Sequence, residues 1–437
     1  MLLRQVNACY QKDLDALFDS GLYDELVAAG MLVPVEQVDL SWAPEPNAIA
    51  VLRPERVTTL SYPYEWSFGQ WKDAALLTLE LMRRSLGRGM VLKDASAFNV
   101  QYVGGRPMFI DTLSFQVYEE GEPWIAYAQF CRHFLAPLAL MSFVDVRMGG
   151  LFRAHLDGIP LDLASRMLPW RTRTKPGLLT HLHLHATAQS HESAKGGGRS
   201  RVSKVALLAL IESLRGTIAG LDWSPTGTTW ADYYRQTNYT DDAMREKMRL
   251  VGEFIGSVGR RRGVCWDLGA NTGRFSRLAA EHGYETVAWD IDPAAVESAY
   301  RQVRTENETR ILPLLQDLTN PTPGLGWAGT ERMSFAERGP ADILLALALI
   351  HHLVIGGNVP LRAVSEMFAN LGEWLVIEFV PPTDSQVQRM LAGRRGVILP
   401  YDQAVFEKTF AVEFEIVRRA PISGTERTLY LMRRRRP

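Results

Sequence analysis

Residues 265–273 read CWDLGANTG, and this stretch decides the fold. A short apolar run ends in the acid Asp267, and Gly269 and Gly273 follow at a spacing of four. The apolar run predicts a strand, whereas the next segment, 274–282, has the apolar spacing of a helix. Glycines at such a junction allow a tight turn in which a bulky ligand can approach the bare backbone and the free N–H groups of the helix.

Strand-like segments continue to alternate with helix-like segments after this turn. Such alternation predicts an α/β fold with a doubly wound parallel sheet, whose ligands bind at the carboxyl ends of the strands. The further predicted strands are YETVAWDID (284–292), LPLLQDLT (312–319), ADILLALALIHHL (341–353) and EWLVIEFVPP (373–382).

The bulk composition is that of an ordinary globular protein of two or three domains. The chain has 437 residues, and its 48 Lys and Arg nearly balance its 49 Asp and Glu. No overall charge therefore favours nucleic acid or an anionic membrane. The three cysteines lie far apart, and no uncharged apolar run approaches 18 residues. We therefore expect a cytoplasmic protein without a membrane span.

The spacing of the glycines excludes a dinucleotide fingerprint. With Gly269 as the first glycine, G-x-G-x-x-G would need glycines at 271 and 274, where the chain has Asn271 and Arg274. What remains is D-x-G-x-x-x-G with a second acid, Asp290, ending the next strand.

This pattern resembles the S-adenosylmethionine site of class I methyltransferases, and the resemblance runs from about Trp230 to Arg433. It implies that the glycine turn passes under the methionine part of the cofactor, that Asp290 takes both ribose hydroxyls, and that Asp317 bonds the adenine amino group. Asp292 is the weaker ribose partner. The implied cofactor-binding residues are Asp267, Gly269, Asn271, Gly273, Asp290 and Asp317.

Each of these assignments has a structural alternative. Asp267 and Gly269 can simply shape a strand-to-helix turn, and Asp317 can cap a helix. The candidate catalytic residues are His351 first, then His352 and Glu378. A histidine of ordinary pKa suits proton removal from a hydroxyl acceptor. An amine or carboxylate acceptor would need no base.

The N-terminal half contains a second pattern, VLKDASAFNVQYVGGRPMFIDTLSF (91–115). Its Asp94, Asn99 and Asp111 resemble the catalytic-loop and metal-binding residues of protein-kinase-like and aminoglycoside-phosphotransferase-like folds. A glycine-rich phosphate loop and its lysine are missing, so the resemblance implies a degenerate α+β kinase-like domain that recognises the acceptor. Loop-pinning Asx turns and an active phosphotransferase are the alternatives.

The chain as a whole resembles bacterial nodulation-type methyltransferases. That resemblance implies O-methylation of a carbohydrate or other small metabolite, with nucleic acid an improbable partner and the oligomeric state open. A cofactor-binding regulatory or assembly protein without robust catalysis is one alternative. A bifunctional kinase–methyltransferase that modifies a polysaccharide is another.

The predicted organisation has four parts. They are a kinase-like domain (1–188), a flexible linker (189–203) around AKGGGRSR, a helical lead-in or lid (204–259), and the methyltransferase domain (260–437). HLHLH (181–185) would present three histidines on one face of a strand, but it lacks further metal ligands, so packed histidines and no metal site are expected. The basic runs, among them RTRTK (171–175), are usually solvated.

Overall fold

The computed structural model describes residues 2–186, 201–225, 239–259, 263–392 and 401–435. The chain divides into two compact units, Met1–Ser224 and Pro225–Pro437. Most of the predicted linker, 189–200, lies outside the described residues. No helix in the described ranges is long and apolar enough to cross a bilayer.

The first unit is α+β. Its described part contains one antiparallel three-stranded sheet, ordered β1–β3–β2, and two antiparallel strand pairs, β4–β7 and β5–β6. The strands are β1 (Arg4–Asn7), β2 (Val35–Val38), β3 (Ala48–Pro54), β4 (Met90–Leu92), β5 (Val100–Val103), β6 (Arg106–Phe109) and β7 (Phe115–Val117). The helices are α1 (Gln11–Asp19), α2 (Leu22–Ala28), α3 (Phe68–Gly87), α4 (Tyr127–Phe130), α5 (Ala136–Phe143), α6 (Leu161–Met167), the short α7 (Pro176–Leu178) and α8 (Lys204–Ala219).

Helix α3 forms the centre of this unit. A capping box starts it, because the Ser67 hydroxyl accepts from the Gln70 N–H and the Gln70 side chain accepts from the Ser67 N–H. Its apolar face is fully buried, with Trp71 packed edge-on against the rings of Phe134 and Phe152.

Helix α8 belongs to the first unit and not to a lead-in of the second. It packs on α3, and the Lys72 ammonium donates to the carbonyls of Ala219 and Leu221 at its C-terminal end, at 2.8 and 2.7 Å. The sequence showed an apolar helix at this place but could not show which partner buries it.

The HLHLH segment is a π-helix, Leu179–Leu184, and not a strand. His181 and His183 are buried, and both ring nitrogens of each are bonded to hydroxyls, so they are packed side chains as expected. Within the described residues no group of His, Cys, Asp and Glu could hold a metal ion. The hydroxyl partners are those of Tyr127 and Ser213 for His181 and of Ser165 and Thr172 for His183.

The second unit is α/β. Its described residues form a seven-stranded sheet in the order β10–β9–β8–β11–β12–β14–β13. The strands are β8 (Gly263–Leu268), β9 (Tyr284–Asp290), β10 (Ile311–Leu315), β11 (Ala341–Ala346), β12 (Gly372–Phe379), β13 (Phe414–Pro421) and β14 (Thr428–Arg434). The helices are α9 (Asp241–Ser257), α10 (Arg274–Glu281), α11 (Pro293–Glu306), α12 (Leu361–Leu371), α13 (Ser385–Ala392) and α14 (Gln403–Glu413).

The strand order confirms the predicted doubly wound sheet. Strands β8 to β12 pair in parallel, and only the β12–β14 and β14–β13 pairs are antiparallel. The order reverses between β8 and β11, which are neighbours in the sheet although two other strands separate them in the chain. In such sheets, a crevice opens at this reversal, at the carboxyl ends of the strands.

Candidate functional site

A cavity of about 240 Å³ lies at the carboxyl ends of β8, β9, β10 and β11. It is therefore at the reversal of strand order, where a doubly wound sheet is expected to bind its ligand. Its walls come from the segment before β8, from the turn after β8 and from the loops after β9, β10 and β11. The lining residues are Tyr239, Met244, Lys247, Asp267, Gly269, Ala270, Asn271, Phe275, Asp290, Ile291, Gln316, Asp317, Leu318, Thr319, Leu347, Ala348, Leu349, His352 and Leu353.

The turn after β8 has the tight backbone that the glycines predicted. Gly269, Asn271 and Gly273 all have positive φ, at 73°, 51° and 80°. The N–H groups of Gly269 and Ala270 both donate to the carbonyl of Trp289 at 2.9 Å, which ties the turn to β9. A Cβ on Gly269 would lie 3.1 Å from the side chain of Leu349, so the glycine allows Leu349 to pack directly on the turn. A side chain here would be strained by the positive φ and crowded by Leu349.

Asp267 and Asp290 lie at the carboxyl ends of the neighbouring strands β8 and β9 as buried carboxyl groups. Burial raises the pKa of Asp290 to about 6, although the N–H groups of Asn271 and Asp292, at 2.7 and 2.9 Å, oppose the shift. Burial also raises the pKa of Asp267 to about 7, with a hydrogen bond from Ser276 opposing it and the neighbouring Asp290 adding to it. Two buried acids with raised pKa values favour a ligand that brings hydrogen-bond donors or positive charge.

Asp292 and Asp317 both make local turns. Asp292 caps α11 by accepting from the Ala294 N–H at 2.8 Å, and it does not line the cavity. Asp317 does line it, and its Oδ1 accepts from the backbone and the hydroxyl of Thr319 at 2.8 and 2.6 Å. No helix starts directly after Asp317 in the described range 263–392, so it does not cap one as the structural alternative expected; it makes a local turn with Thr319 and lines the cavity.

The two adjacent histidines have different surroundings. His352 lines the cavity, whereas His351, the first candidate from the sequence, is buried beside it with an Nδ1 that lacks a hydrogen-bond partner among the described residues. Their ring centroids are 4.1 Å apart. Burial, followed by the charge of Arg427, lowers the pKa of His352 to about 4, and burial also lowers the pKa of His351 well below its ordinary value. Both imidazoles are therefore neutral at pH 7.

The glycine loop after these histidines is packed and not open. A Cβ on Gly357 would lie 2.7 Å from Thr319 and 2.9 Å from the carbonyl of Leu353. Gly357 thus allows a close contact between the loops after β10 and β11. This close contact explains why a glycine stands at 357.

Glu378 is placed in a buried ion cluster and not in the cavity wall. Its carboxylate pairs with the Lys247 ammonium at 2.6 Å and the Arg427 guanidinium at 3.2 Å, and it accepts a hydrogen bond from the Tyr239 hydroxyl. Asp384 binds Arg427 from the other side at 2.8 Å. Burial would raise the pKa of Glu378, but Lys247 and Arg427 outweigh it and lower the pKa. A carboxylate held by two cations is a poor general base.

Lys247 and Tyr239 are cavity residues that sequence reasoning missed. Lys247 is fully buried in α9, and its ammonium lies 4.8 Å from the ring centre of Tyr239 and 4.9 Å from that of Phe275. A signal for it existed, because Lys247 shares the apolar face of α9 with Leu250, Val251 and Phe254. A lysine on a core-facing helical stripe needs a buried partner.

Asp94 and Asp111, the two acids of the kinase-like pattern, form Asx-turn hydrogen bonds within their loops. Such turns were the structural alternative to a kinase-like site. The Asp94 carboxylate accepts from the Ser96 N–H at 2.9 Å and Asp111 from the Leu113 N–H at 3.3 Å. Asp111 also forms an ion pair with Arg4 on β1 and accepts from the Ser114 hydroxyl. The Asn99 amide lies 3.4 Å from the same hydroxyl, so Asn99 and Asp111 lie close together. The Arg4 guanidinium thus already neutralises the carboxylate that a bound metal ion would need.

The comparison with known proteins places the chain in a family. No family model matches it. The nodulation protein NoeA of Rhizobium meliloti (strain 1021) is 37% identical over an alignment of 393 residues, and the alignment covers 88% of this chain and 82% of NoeA. The chain belongs to the NoeA family of nodulation proteins.

Several solved structures are similar to parts of this NoeA-family protein. The magnesium protoporphyrin IX methyltransferase ChlM of Synechocystis PCC 6803, with bound SAH, is 19% identical with a TM-score of 0.33 and covers 47% of this chain and 93% of its own. The N-methyltransferase NodS of Bradyrhizobium japonicum WM9, also with SAH, is 14% identical with a TM-score of 0.34, at 48% and 100% coverage. Because these sequence identities and TM-scores are low, the function must be inferred from the residues that line the cavity.

The protein WbdD, in a structure with the kinase inhibitor LY294002, is a further match. It is 14% identical with a TM-score of 0.32 and covers 44% of this chain and 41% of its own. The kinase-like character of the first unit stays a hypothesis.

We predict that ATP with magnesium leaves the thermal stability of the NoeA-family protein unchanged. The Arg4–Asp111 ion pair fills the position where Asp111 would bind a metal ion, and the sequence has no glycine-rich phosphate loop. Differential scanning fluorimetry with increasing MgATP is the measurement, with MgSO₄ at equal ionic strength as the control. A saturable rise in melting temperature that Asp111→Asn abolishes would contradict the prediction.

We also predict that Glu378→Ala destabilises the second unit by about 3–5 kcal/mol, because it leaves Lys247 and Arg427 buried without their shared partner. Urea unfolding measures the loss. Glu373→Ala, on the same strand but half-buried, is the control, and we expect it to change stability by less than about 1 kcal/mol. A Glu378→Ala protein as stable as this control would show that the cluster is not a structural support.

Proposed function

We propose that this NoeA-family protein is an S-adenosylmethionine-dependent methyltransferase. The observation that carries the proposal is Asp290, a buried carboxylate of raised pKa at the end of β9, facing the cavity beside a turn of positive φ. A carboxylate in that position fits a vicinal pair of ribose hydroxyls, because both can donate to it.

The other cavity residues fit the rest of such a cofactor. Gly269 lines the cavity in a turn of positive φ and carries no side chain, so its backbone is part of the wall that a bound molecule would meet. Ile291 and Leu318 offer apolar contacts for a planar base, and Asp317 can accept from an exocyclic amine. The Lys247 ammonium, which already pairs with Glu378, can also donate to a carboxylate of the ligand. When bound, the cofactor supplies an activated methyl group on a sulfonium.

The acceptor side of the cavity supports transfer to a hydroxyl of a small molecule, with His352 as the proton acceptor. Its neutral imidazole can accept a hydrogen bond from the hydroxyl and so align the oxygen. A pKa of about 4 makes His352 a weak base toward a free alcohol. The hydroxyl becomes strongly acidic as its oxygen forms the new bond to carbon, and His352 can take the proton at that stage.

A carbohydrate or similar metabolite is the acceptor class we propose, as the resemblance to nodulation-type methyltransferases implies. An amine, which would need no base, is the second candidate. Acceptors can be found by incubating the protein with fractionated cell extract and a cofactor that carries a labelled methyl group. Mass spectrometry then identifies the labelled products. Tight cofactor binding without any labelled product would favour a regulatory role instead.

We predict that Asp290→Asn weakens binding of S-adenosylhomocysteine by about 2–4 kcal/mol, because two hydroxyl donors lose a charged acceptor. The ionised carboxylate is the form that accepts from both hydroxyls. Wild-type affinity should therefore rise as the pH increases through about 6, the pKa of Asp290. In Asp290→Asn the increase in affinity that comes from ionisation of Asp290 should disappear. Any increase that remains should come from ionisation of Asp267.

Isothermal titration calorimetry across this pH range is the measurement. Glu285→Gln is the matched control, since Glu285 is an exposed carboxylate on the same strand. Affinity of Asp290→Asn within about threefold of the wild type would remove Asp290 from the ribose site.

We predict that His352→Gln lowers the single-turnover rate with a hydroxyl acceptor by about 10²–10⁴-fold and leaves cofactor affinity nearly unchanged. Glutamine keeps a polar group in the cavity but cannot take a proton. His351→Gln is the matched neighbour and should keep a rate near that of the wild type, because His351 does not line the cavity.

Rapid-quench measurement of methyl transfer, with cofactor affinity measured on the same preparations, separates the outcomes. A loss only in His351→Gln would return the role to His351, the residue favoured from the sequence. Wild-type rates in both variants would argue for an acceptor that needs no base.

A further inference from the structure

The first unit carries an exposed tryptophan among exposed cations, which we call the Trp170 patch. It consists of Trp170, Arg171, Arg173 and Lys175 on and beside the short 3₁₀ helix Trp170–Thr174. The indole is 78% exposed. The sequence from 163 to 191 contains no Asp or Glu, so the charge of this stretch is positive throughout.

A buried anchor holds the patch in place. Thr172 lies in the middle of the helix and is fully buried. Its hydroxyl donates to the carbonyl of Pro169 at 2.7 Å and accepts from His183 Nε2 at 2.9 Å. His183 Nδ1 is then free to accept from the Ser165 hydroxyl at 2.8 Å. The exposed side chains on both sides of Thr172 are thus held by a fixed turn. This order lowers the entropic cost of binding.

The cations of the patch have no acidic partners among the described residues. Arg166, one turn earlier, pairs with Asp162, but Arg171, Arg173 and Lys175 form no ion pair with a described Asp or Glu. Lys175 instead lies over the ring of Phe143 at 5.4 Å. Unpaired exposed cations keep their full attraction for an external anion at low ionic strength.

The other prominently exposed tryptophans in the described ranges lack this setting. Trp42 is 56% exposed and lies between Asp39 and Glu45 in the sequence, and Trp327 is 83% exposed and precedes Glu331. The patch is therefore defined by the combination of an exposed indole with three unpaired cations, and not by an exposed indole alone.

We propose that the Trp170 patch docks this protein peripherally on a membrane surface rich in anionic lipid. Tryptophan prefers the boundary between headgroups and acyl chains, and neighbouring lysines and arginines are attracted to anionic headgroups. The indole protrudes, whereas sites for free sugars and nucleotides are concave and bury most of the ligand. A lipid surface therefore fits this shape and charge better than a soluble polyanion. The proposal does not depend on the proposed methyltransferase activity.

Sedimentation with vesicles tests the docking. Full-length protein should sediment with vesicles of phosphatidylcholine and phosphatidylserine in a three-to-one ratio, much less with phosphatidylcholine alone, and less as salt is raised. We expect Trp170→Ala to lower the vesicle partition coefficient about fivefold or more. The triple variant Arg171→Gln, Arg173→Gln, Lys175→Gln should lower it more than about tenfold.

Matched variants in the same unit are the controls. Trp42→Ala removes an exposed indole from an acidic setting, and the triple variant Lys12→Gln, Arg56→Gln, Arg106→Gln removes the same charge from exposed positions elsewhere. Both should bind like the wild type. Equal losses in the control and patch variants would overturn the proposal, as would a failure to bind the anionic vesicles. Binding to heparin or single-stranded DNA with no binding to vesicles would overturn it in favour of a soluble polyanion.

Discussion

Two backbone N–H groups hold the Asp290 carboxylate at the reversal of the sheet, and the geometry of the cavity depends on this interaction. One donor, Asn271, can point at Asp290 only because the turn after β8 adopts positive φ. The same turn is bonded to the carbonyl of Trp289, immediately before Asp290. The end of β9 and the start of α10 therefore fix each other. A turn of ordinary conformation would leave a buried carboxylate without one of its two backbone donors, which is costly.

The ion cluster around Glu378 fixes the position of another part of the cavity wall, the part that contains Lys247. It joins α9, the end of β12 and the residue before β14 through Lys247, Glu378 and Arg427. The desolvation of these charges is expensive, so the cluster need not add net stability over an apolar core. Its effect is on position, because buried charges tolerate few arrangements. Lys247 thereby keeps its ammonium at the cavity, although burial lowers its pKa.

The sequence predicted those parts of the site that local rules determine. Strand ends at Asp267 and Asp290 and the turn between Gly269 and Gly273 follow from apolar runs, acids and glycines close together in the chain. Distant pairing was not accessible in this way, as Lys247 and Glu378 lie far apart in sequence. The choice between the two histidines was limited for another reason. Adjacent residues in a helical turn point in different directions, so the sequence could not show whether His351 or His352 lines the cavity.

The charges around the cavity limit how the proposed reaction could be accelerated. Carboxylates at Asp267 and Asp290 stabilise a cation, and a sulfonium carries its full charge before transfer, whereas that charge is dispersed during transfer. These acids therefore favour binding of the ground state at least as much as the transition state, and they cannot by themselves speed the reaction. The neutral histidine on the other side adds no compensating charge. Rate enhancement must then come mainly from alignment of the acceptor against the methyl group, so the packed loops around Leu349 and Gly357 matter as much as any titrating group.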